Sequence, residues 1–382
     1  MGECKTMCTE YKALTTLEQF LDRLEHYVNI DTPSGYKEGL DFQSAQLKAE
    51  FEAIGCEVIT HERSGGNLLE CRLGTGSKQI LMLGHMDTVF DVGTVEKRPF
   101  RREGNKLYGP GVLDMKSGDL MILEIMRAFA GKLPEDFCLC GLLNCDEEIG
   151  SKQSKDKIME LGRNSVACLC MEPSKPGYCT VARKGLITFR VKTSGVAAHS
   201  GVNYHLGFSA IQGLCNIITK LYTLRDDERA ISINIGGMTG GVDKGNIVAD
   251  AASCIGEVRF YDPALTDSVL EKLHSFTAHT GVDNVSSELT VVAIRPPMQQ
   301  TEASQALYEK ARLAAEANGL ELVGRTHGGG SDGSFVASIG TPVVDGMGAE
   351  GEFSHTVEEY VRVDTLMQRL QSCIDLIAAL MK

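Results

Sequence analysis

The sequence predicts an α/β protein, specifically a discontinuous α/β domain that carries an inserted, smaller α+β domain. Three observations predict it. Apolar strand-like runs alternate with amphipathic helices from Leu17 to Glu172, and such alternation builds a largely parallel sheet. Beyond residue 180 the runs become half-exposed and alternate apolar with polar, the mark of an antiparallel sheet with one wet face. The α/β texture then returns from Glu302. A chain of 382 residues also exceeds what one core ordinarily holds. The expected domains are residues 1–179 with 296–382, and the insertion at 180–295.

The elements follow in order. Thr15 and Glu18 have capping-box spacing, and Leu17, Phe20, Leu21, Leu24 and Val28 keep helical period. Asp31-Thr32-Pro33-Ser34-Gly35 stops that helix in a turn. A second helix spans Leu40 to Ile54, with Gly55 as its C-cap. Strands are expected at Cys56–Thr60, Asn67–Arg72 and Gln79–Leu83. The glycine-rich stretch Tyr108–Gly118 opens a helix reaching Ala130. Phe137–Leu143 and Val166–Met171 are further strands. In the insertion, strands are expected at Leu186–Lys192, Ala230–Ile235 and Cys254–Tyr261, and helices at Gly207–Leu224 and Ala264–Thr277. Ile294–Pro297 serves as a linker. A helix over Glu302–Asn318, the loop His327–Gly333, a strand at Pro342–Val344 and a helix over Val363–Met381 complete the chain.

Composition excludes several classes. A net charge of -13 argues against nucleic acid, which needs clustered basic residues, and against anionic membrane surfaces. No apolar run approaches the ~20 residues of a membrane span. The start, MGECKTMCTEYKALTT, has no apolar signal-peptide core. Thirteen cysteines without a CxxC pair point to free thiols in a reducing cytosol, hence a cytoplasmic protein. The glycine clusters Gly74–Lys78 and Gly328–Gly333 do not fit the phosphate-binding pattern GxxxxGK[ST].

The chemistry lies where strands stop. Three apolar runs end in His85 and Asp87, in Glu147 and Glu148, and in Glu172, and open α/β sheets bind ligands at the carboxyl ends of their strands. His85 and Asp87, two apart, leave one side of an extended chain together, as a metal-bound histidine and its orienting acid do. Adding Asp114 and His355 gives nitrogen and oxygen donors without thiolate. That set suits zinc, with cobalt or manganese as alternatives. It is too large for one ion. Two ions about 3.5–4 Å apart, sharing one carboxylate and one water, would use it. Adjacent glutamates in an extended segment face opposite ways, so one can ligate while the other serves as general base for hydrolysis.

The motifs HMDT (His85–Thr88), GPGVLDMKSG (Gly109–Gly118), CDEEIGS (Cys145–Ser151), MEP (Met171–Pro173), AHSG (Ala198–Gly201), GGGSDGSF (Gly328–Phe335) and the late His355 stand in a familiar order. The chain resembles the dizinc metallopeptidases that include carboxypeptidase G, aminoacylase, and acetylornithine and succinyl-diaminopimelate deacylases. The match runs from about residue 16 to the end and is specific to the family, not to a substrate. The resemblance implies a zinc-exopeptidase-like α/β/α catalytic domain with an inserted lid and dimerisation domain, and a homodimer. It implies that His85 and Glu172 hold one zinc, Glu148 and His355 the other, with Asp114 between them. Asp87 would orient His85, and Glu147 would be the general base. His199 would polarise the scissile carbonyl, from its own or the neighbouring subunit. Arg259 would grip a substrate carboxylate, with Asn246 near the site and the backbone of Gly329, Gly330 and Ser331 offering N–H groups. Such a site hydrolyses a small peptide or N-acyl amino acid.

Leu113 departs from the small or polar residue more usual there. Glu172 in place of aspartate is the choice of the carboxypeptidase G branch. His205 and His327 have no family role, and Arg183-Lys184 reads as a solvated strand. A silent metal-binding homologue is the rival outside enzymes, but a general base such as Glu147 has no purpose in a binder. An N-acyl-amino-acid deacylase or a di- or tripeptidase would use the same site.

Overall fold

The computed structural model describes residues 10–382. The reading of the first residues as lacking a signal peptide lies outside them. The chain divides into two compact units. The first comprises the residues up to Ala182, Gln300–His327 and Ser331–Lys382; the second comprises Arg183–Gln299 and Gly328–Gly330.

A six-stranded sheet centres the first unit, in the order Glu57–His61, Leu68–Leu73, Phe137–Asn144, Lys78–His85, Ser165–Cys170, Val343–Val344. The Lys78–His85 strand runs parallel to Phe137–Asn144 on one side and to Ser165–Cys170 on the other. Val343–Val344 continues the parallel set, while Glu57–His61 and Leu68–Leu73 join it antiparallel. The sheet is therefore mixed, and parallel at its centre. Every residue of Phe137–Asn144 is buried, as are Gln79–His85, because a parallel core is covered on both faces. Helix Ser117–Phe129 packs on that sheet and helix Leu366–Leu380 packs against Ser117–Phe129, and both are largely buried.

Two local expectations shift. The first helix, Leu17–Val28, is capped by Thr16 and Gln19 rather than Thr15 and Glu18. Thr16 holds the extended N-cap backbone, and the two residues exchange side-chain-to-backbone hydrogen bonds. A small four-stranded sheet of Gly351–Glu352, Tyr360–Arg362, Lys106–Tyr108 and Arg101–Glu103 was not foreseen. Strands of two or three residues are too short to display a period. This sheet brackets the glycine-rich loop and the His355 segment.

The second unit is a four-stranded antiparallel sheet, ordered Ser232–Gly240, Ala251–Phe260, Gly185–Ser194, Ser286–Arg295. Helices Ala210–Tyr222 and Leu265–Thr277 pack Leu214, Ile217 and Leu273 into a core with Phe189 and Val258. The strand Ser286–Arg295 takes in Ile294 and Arg295, read above as linker. Of the eleven described cysteines all are free, and ten are buried. Among the described residues no helix is long and apolar enough to cross a membrane.

Candidate metal centre

The three foreseen strand ends are neighbours: His85 ends the central strand, Glu147 and Glu148 follow its partner on one side, and Glu172 follows its partner on the other. The step before His85 must be glycine, since a Cβ on Gly84 would lie 2.3 Å from the Asp119 carboxylate. His85 Nδ1 lies 2.9 Å from the Asp87 backbone oxygen and 3.5 Å from its carboxylate. Asp87 is fully buried. Its carboxylate accepts the backbone N–H groups of Glu147 and Glu148, both at 3.1 Å, and the Ser34 hydroxyl at 2.6 Å. One residue thus holds both the imidazole and the glutamate pair.

That pair is not extended, as the sequence reading assumed, but forms the short 3-10 turn Glu147–Ile149. The side chains still go to different partners. Glu147 gathers with His85 and Glu172, and Glu148 with His85 and Asp114.

Asp114 comes from the glycine-rich loop. Gly111 turns it at φ +71, where a Cβ would press within 2.5 Å of the Thr88 methyl. The wide turn Val112–Lys116 follows, with Asp114 at φ -116, ψ 93 and a cis peptide between Asp114 and Met115. Lys116 anchors the turn, its buried ammonium donating to the carbonyls of Tyr27 at 3.0 Å and Ile30 at 2.6 Å. Burial pulls the Lys116 pKa down to about 7. One Asp114 oxygen lies 3.2 Å from His85 Nε2, and the other lies 3.2 Å from His355 Nε2. His355 Nε2 is also 3.2 Å from Glu148, and His85 Nε2 is 3.8 Å from Glu172. His355 holds a left-handed φ of 67, and Phe353 one of 66. Non-glycine residues rarely adopt this conformation, which collects at functional sites.

Electrostatics mark the cluster as short of positive charge. Burial raises Glu172 well above the carboxylate range, reinforced by the Asp114 charge, and it raises Glu148 as well. Hydrogen bonds to Asp114 and Glu148 push His355 up to about 11. Burial works to lower His85, yet its bonds to Asp114 and Asp87 hold it well above the imidazole range. Glu148 Oε1 is buried without a hydrogen-bond partner. Two imidazoles and several crowded carboxylates, one of them an orphaned acceptor, fit divalent cations: bound metal would supply the missing charge.

Glu359, which the sequence reading missed, is buried against the same loop and accepts the N–H groups of Gly111, Leu113 and Asp114. In the sequence it is the second acid of an ordinary-looking Glu-Glu pair.

His199, Asn246, Arg259, Gly329 and Gly330 belong to the second unit. Exposed His199 accepts the N–H groups of Gly201 at 3.1 Å and Val202 at 3.2 Å on Nδ1. Its proton therefore sits on Nε2, leaving that nitrogen a donor. His199 forms an isolated antiparallel bridge with Ile247, and the Ser200 N–H donates to the Asn246 carbonyl at 3.0 Å, so the segments that carry His199 and Asn246 run side by side. Arg259 donates to Glu257 and to the Gly328 carbonyl. Arg183 is not solvated but 5% exposed, donating to the carbonyls of Gly329 at 3.2 Å and Gly330 at 3.3 Å. Ser331, in the first unit, is fully buried with its hydroxyl on Asp345.

The family model described as Peptidase family M20/M25/M40 matches residues 81–381. Carboxypeptidase G2 of Pseudomonas sp. (strain RS-16) is 30% identical over 364 residues, which cover 93% of this chain and 87% of that protein. A putative succinyl-diaminopimelate desuccinylase DapE of Mycobacterium tuberculosis is 28% identical over 352 residues, 88% of this chain and 92% of its own. Two solved structures share the fold. Aminopeptidase PepT from Bacillus cereus has a TM-score of 0.76 at 22% identity, covering 96% of this chain and 99% of its own. The M20 family metallo-carboxypeptidase Sso-CP2 from Sulfolobus solfataricus has a TM-score of 0.77 at 18% identity, covering 94% and 98%. With a family model spanning most of the sequence and a relative 30% identical along nearly all of it, the chain belongs to peptidase family M20/M25/M40 and is a metallohydrolase of amide bonds.

Proposed function

We propose that this protein is a dizinc carboxypeptidase that cleaves the amide bond next to a free carboxylate and releases a C-terminal residue, glutamate in particular. What carries the reading is the cluster itself, in which Asp114 offers one oxygen to each of two imidazoles. His85 and Glu172 would hold one ion and His355 and Glu148 the other, with Asp114 available to both. When bound, the ions act as Lewis acids on the carbonyl and make water acidic enough to be deprotonated near neutral pH.

The remaining steps belong to the chain. Glu147, within reach of His85 and Glu172, takes the proton from the attacking water and passes it to the leaving amine. Asp87 keeps His85 and Glu147 in register through its four contacts. His199, with its proton on Nε2, donates to the carbonyl oxygen as negative charge develops there. Arg259 and the N–H groups of Gly329 and Gly330 bind the substrate carboxylate, and Asn246 lies beside His199. Glycine suits that loop because a ligand can approach its backbone closely.

Glu172 in place of aspartate and the likeness to carboxypeptidase G2 support the carboxypeptidase reading. The same reading takes the protein to be a cytoplasmic homodimer. The unpaired outer edge of Ser232–Gly240 and exposed Val202, Leu206, Met238 and Val242 support a second copy on the inserted unit. A deacylase is the second reading, favoured by the desuccinylases among the relatives.

The two readings separate on a substrate panel after metal reconstitution: α- and γ-glutamyl amides of folate type, dipeptides, and N-acetyl and N-succinyl amino acids. The proposal expects the highest kcat/KM on a glutamyl amide. Preference for an N-succinyl or N-acetyl amino acid would overturn it in favour of the deacylase.

A further inference from the structure

Glu359 is 1% exposed and stands outside the ligand set above. Its Oε1 accepts the N–H groups of Leu113 at 2.8 Å and Asp114 at 2.9 Å, and its Oε2 accepts that of Gly111 at 3.2 Å. The loop it grips is a poor candidate for holding its own shape. Asp114 and Met115 leave helical φ/ψ within the turn Val112–Lys116, so their N–H groups need partners from elsewhere.

Glu359 is itself fixed from the other side. The next residue, Tyr360, pairs with Tyr108 at the start of the loop, and with Glu352 just before the His355 segment. Between these pairings the chain passes through the left-handed residues Phe353 and His355. A single carboxylate therefore ties the loop that carries Asp114 to the segment that carries His355.

We infer that Glu359 is a positioning residue for the metal centre: by bonding the Gly111–Asp114 backbone it sets the separation of Asp114 from His355, and with it the affinity of the chain for its ions. The inference rests on the reading of Asp114 and His355 as ligands. Substitutions grade the effect. Glutamine keeps a carbonyl oxygen for Leu113 and Asp114 but turns an NH2 toward the Gly111 N–H. Leucine offers no acceptor at all.

The test uses the full-length protein as wild type, Glu359→Gln, Glu359→Leu and Asp114→Asn. Zn(II) and Co(II) affinities are measured by chelator competition, with the visible spectrum of the Co(II)-loaded protein and the Tm of the metal-free protein. The expected result is an affinity loss of about 10–100-fold in Glu359→Leu, a smaller one in Glu359→Gln, and altered Co(II) absorption in both. The metal-free Tm of Glu359→Gln should stay near wild type, which separates positioning from general support of the fold. Wild-type affinity and spectrum in both Glu359 variants, with Asp114→Asn weakened, would overturn the positioning role alone. Wild-type affinity in Asp114→Asn would overturn the ligand reading beneath it. If Glu359→Leu does not fold, the Glu359→Gln spectrum and affinity decide.

Discussion

The candidate metal cluster of the first unit and the predicted substrate groups of the second are built in opposite ways. In the first, His85 is 2% exposed, Asp87 is fully buried, and each is fixed by bonds to the other and to the backbone. In the second, His199 and Asn246 are exposed, and backbone contacts rather than packed side chains hold them. His355 belongs to the first group by its partners but to the second by its exposure, its side chain being 52% accessible. The contrast teaches a division of labour. Groups that carry concentrated charge are assembled before any ligand arrives, because such a site must be dry and pre-arranged. Groups that meet a substrate must stay open to it.

The contrast yields predictions of graded size. The largest concerns Glu147. Glu147→Gln should lower kcat by about three orders of magnitude, the middle of the range for a lost general base, while metal content is unchanged. Near-normal turnover would remove Glu147 from the chemistry. Next is His199. His199→Ala should lower kcat by about 10²-fold or more, as for loss of an oxyanion donor, with metal content and Tm at wild-type values. A loss of metal instead would assign His199 to the first group and break the contrast. Arg259→Ala should act mainly on KM for carboxylate-bearing substrates, by about 10–100-fold, the scale of a charge-assisted hydrogen bond. An unchanged KM would exclude Arg259 from substrate binding.

The smallest effect concerns pH. In the metal-free protein the neighbouring carboxylates hold both imidazoles protonated, His355 up to about 11. A raised folded-state pKa stabilises the metal-free fold fully below about 6.5, the unfolded imidazole value. That contribution fades as pH climbs toward the folded value. Metal requires neutral imidazole, so loading releases protons. The gain in Tm on adding zinc should therefore be larger at pH 8 than at pH 6. A gain that is equal or larger at pH 6 would contradict the account.

Much of this was legible in the sequence. The fully buried strands read as continuous apolar runs, and their ends stood out because charge follows them directly. That is why His85, Glu147, Glu148 and Glu172 stand out in the sequence; they lie at or just beyond the ends of three adjacent parallel strands. What stayed hidden depended on contacts distant in sequence or on elements too short to have a period. Glu359 lies 245 residues from Asp114, whose N–H it accepts, and it sits before a strand of three residues. Arg183 reads as one of a solvated basic pair, yet its guanidinium is buried and donates to the carbonyls of Gly329 and Gly330, distant in sequence. The Glu147–Glu148 turn was misjudged as extended because it follows a strand without a glycine or proline to mark the change. The capping box was displaced by one residue because Thr15 and Thr16 both offer the hydroxyl, and only the extended N-cap backbone of Thr16 decides between them.

The central claim is that Asp114 is shared by two ions. Metal analysis of the purified, zinc-reconstituted full-length protein, alongside Asp114→Asn, tests it most directly. The account predicts close to two zinc ions per chain in the wild type and loss of tight binding at both positions in the variant. One ion or none in the wild type, or two tightly held ions in Asp114→Asn, would contradict it.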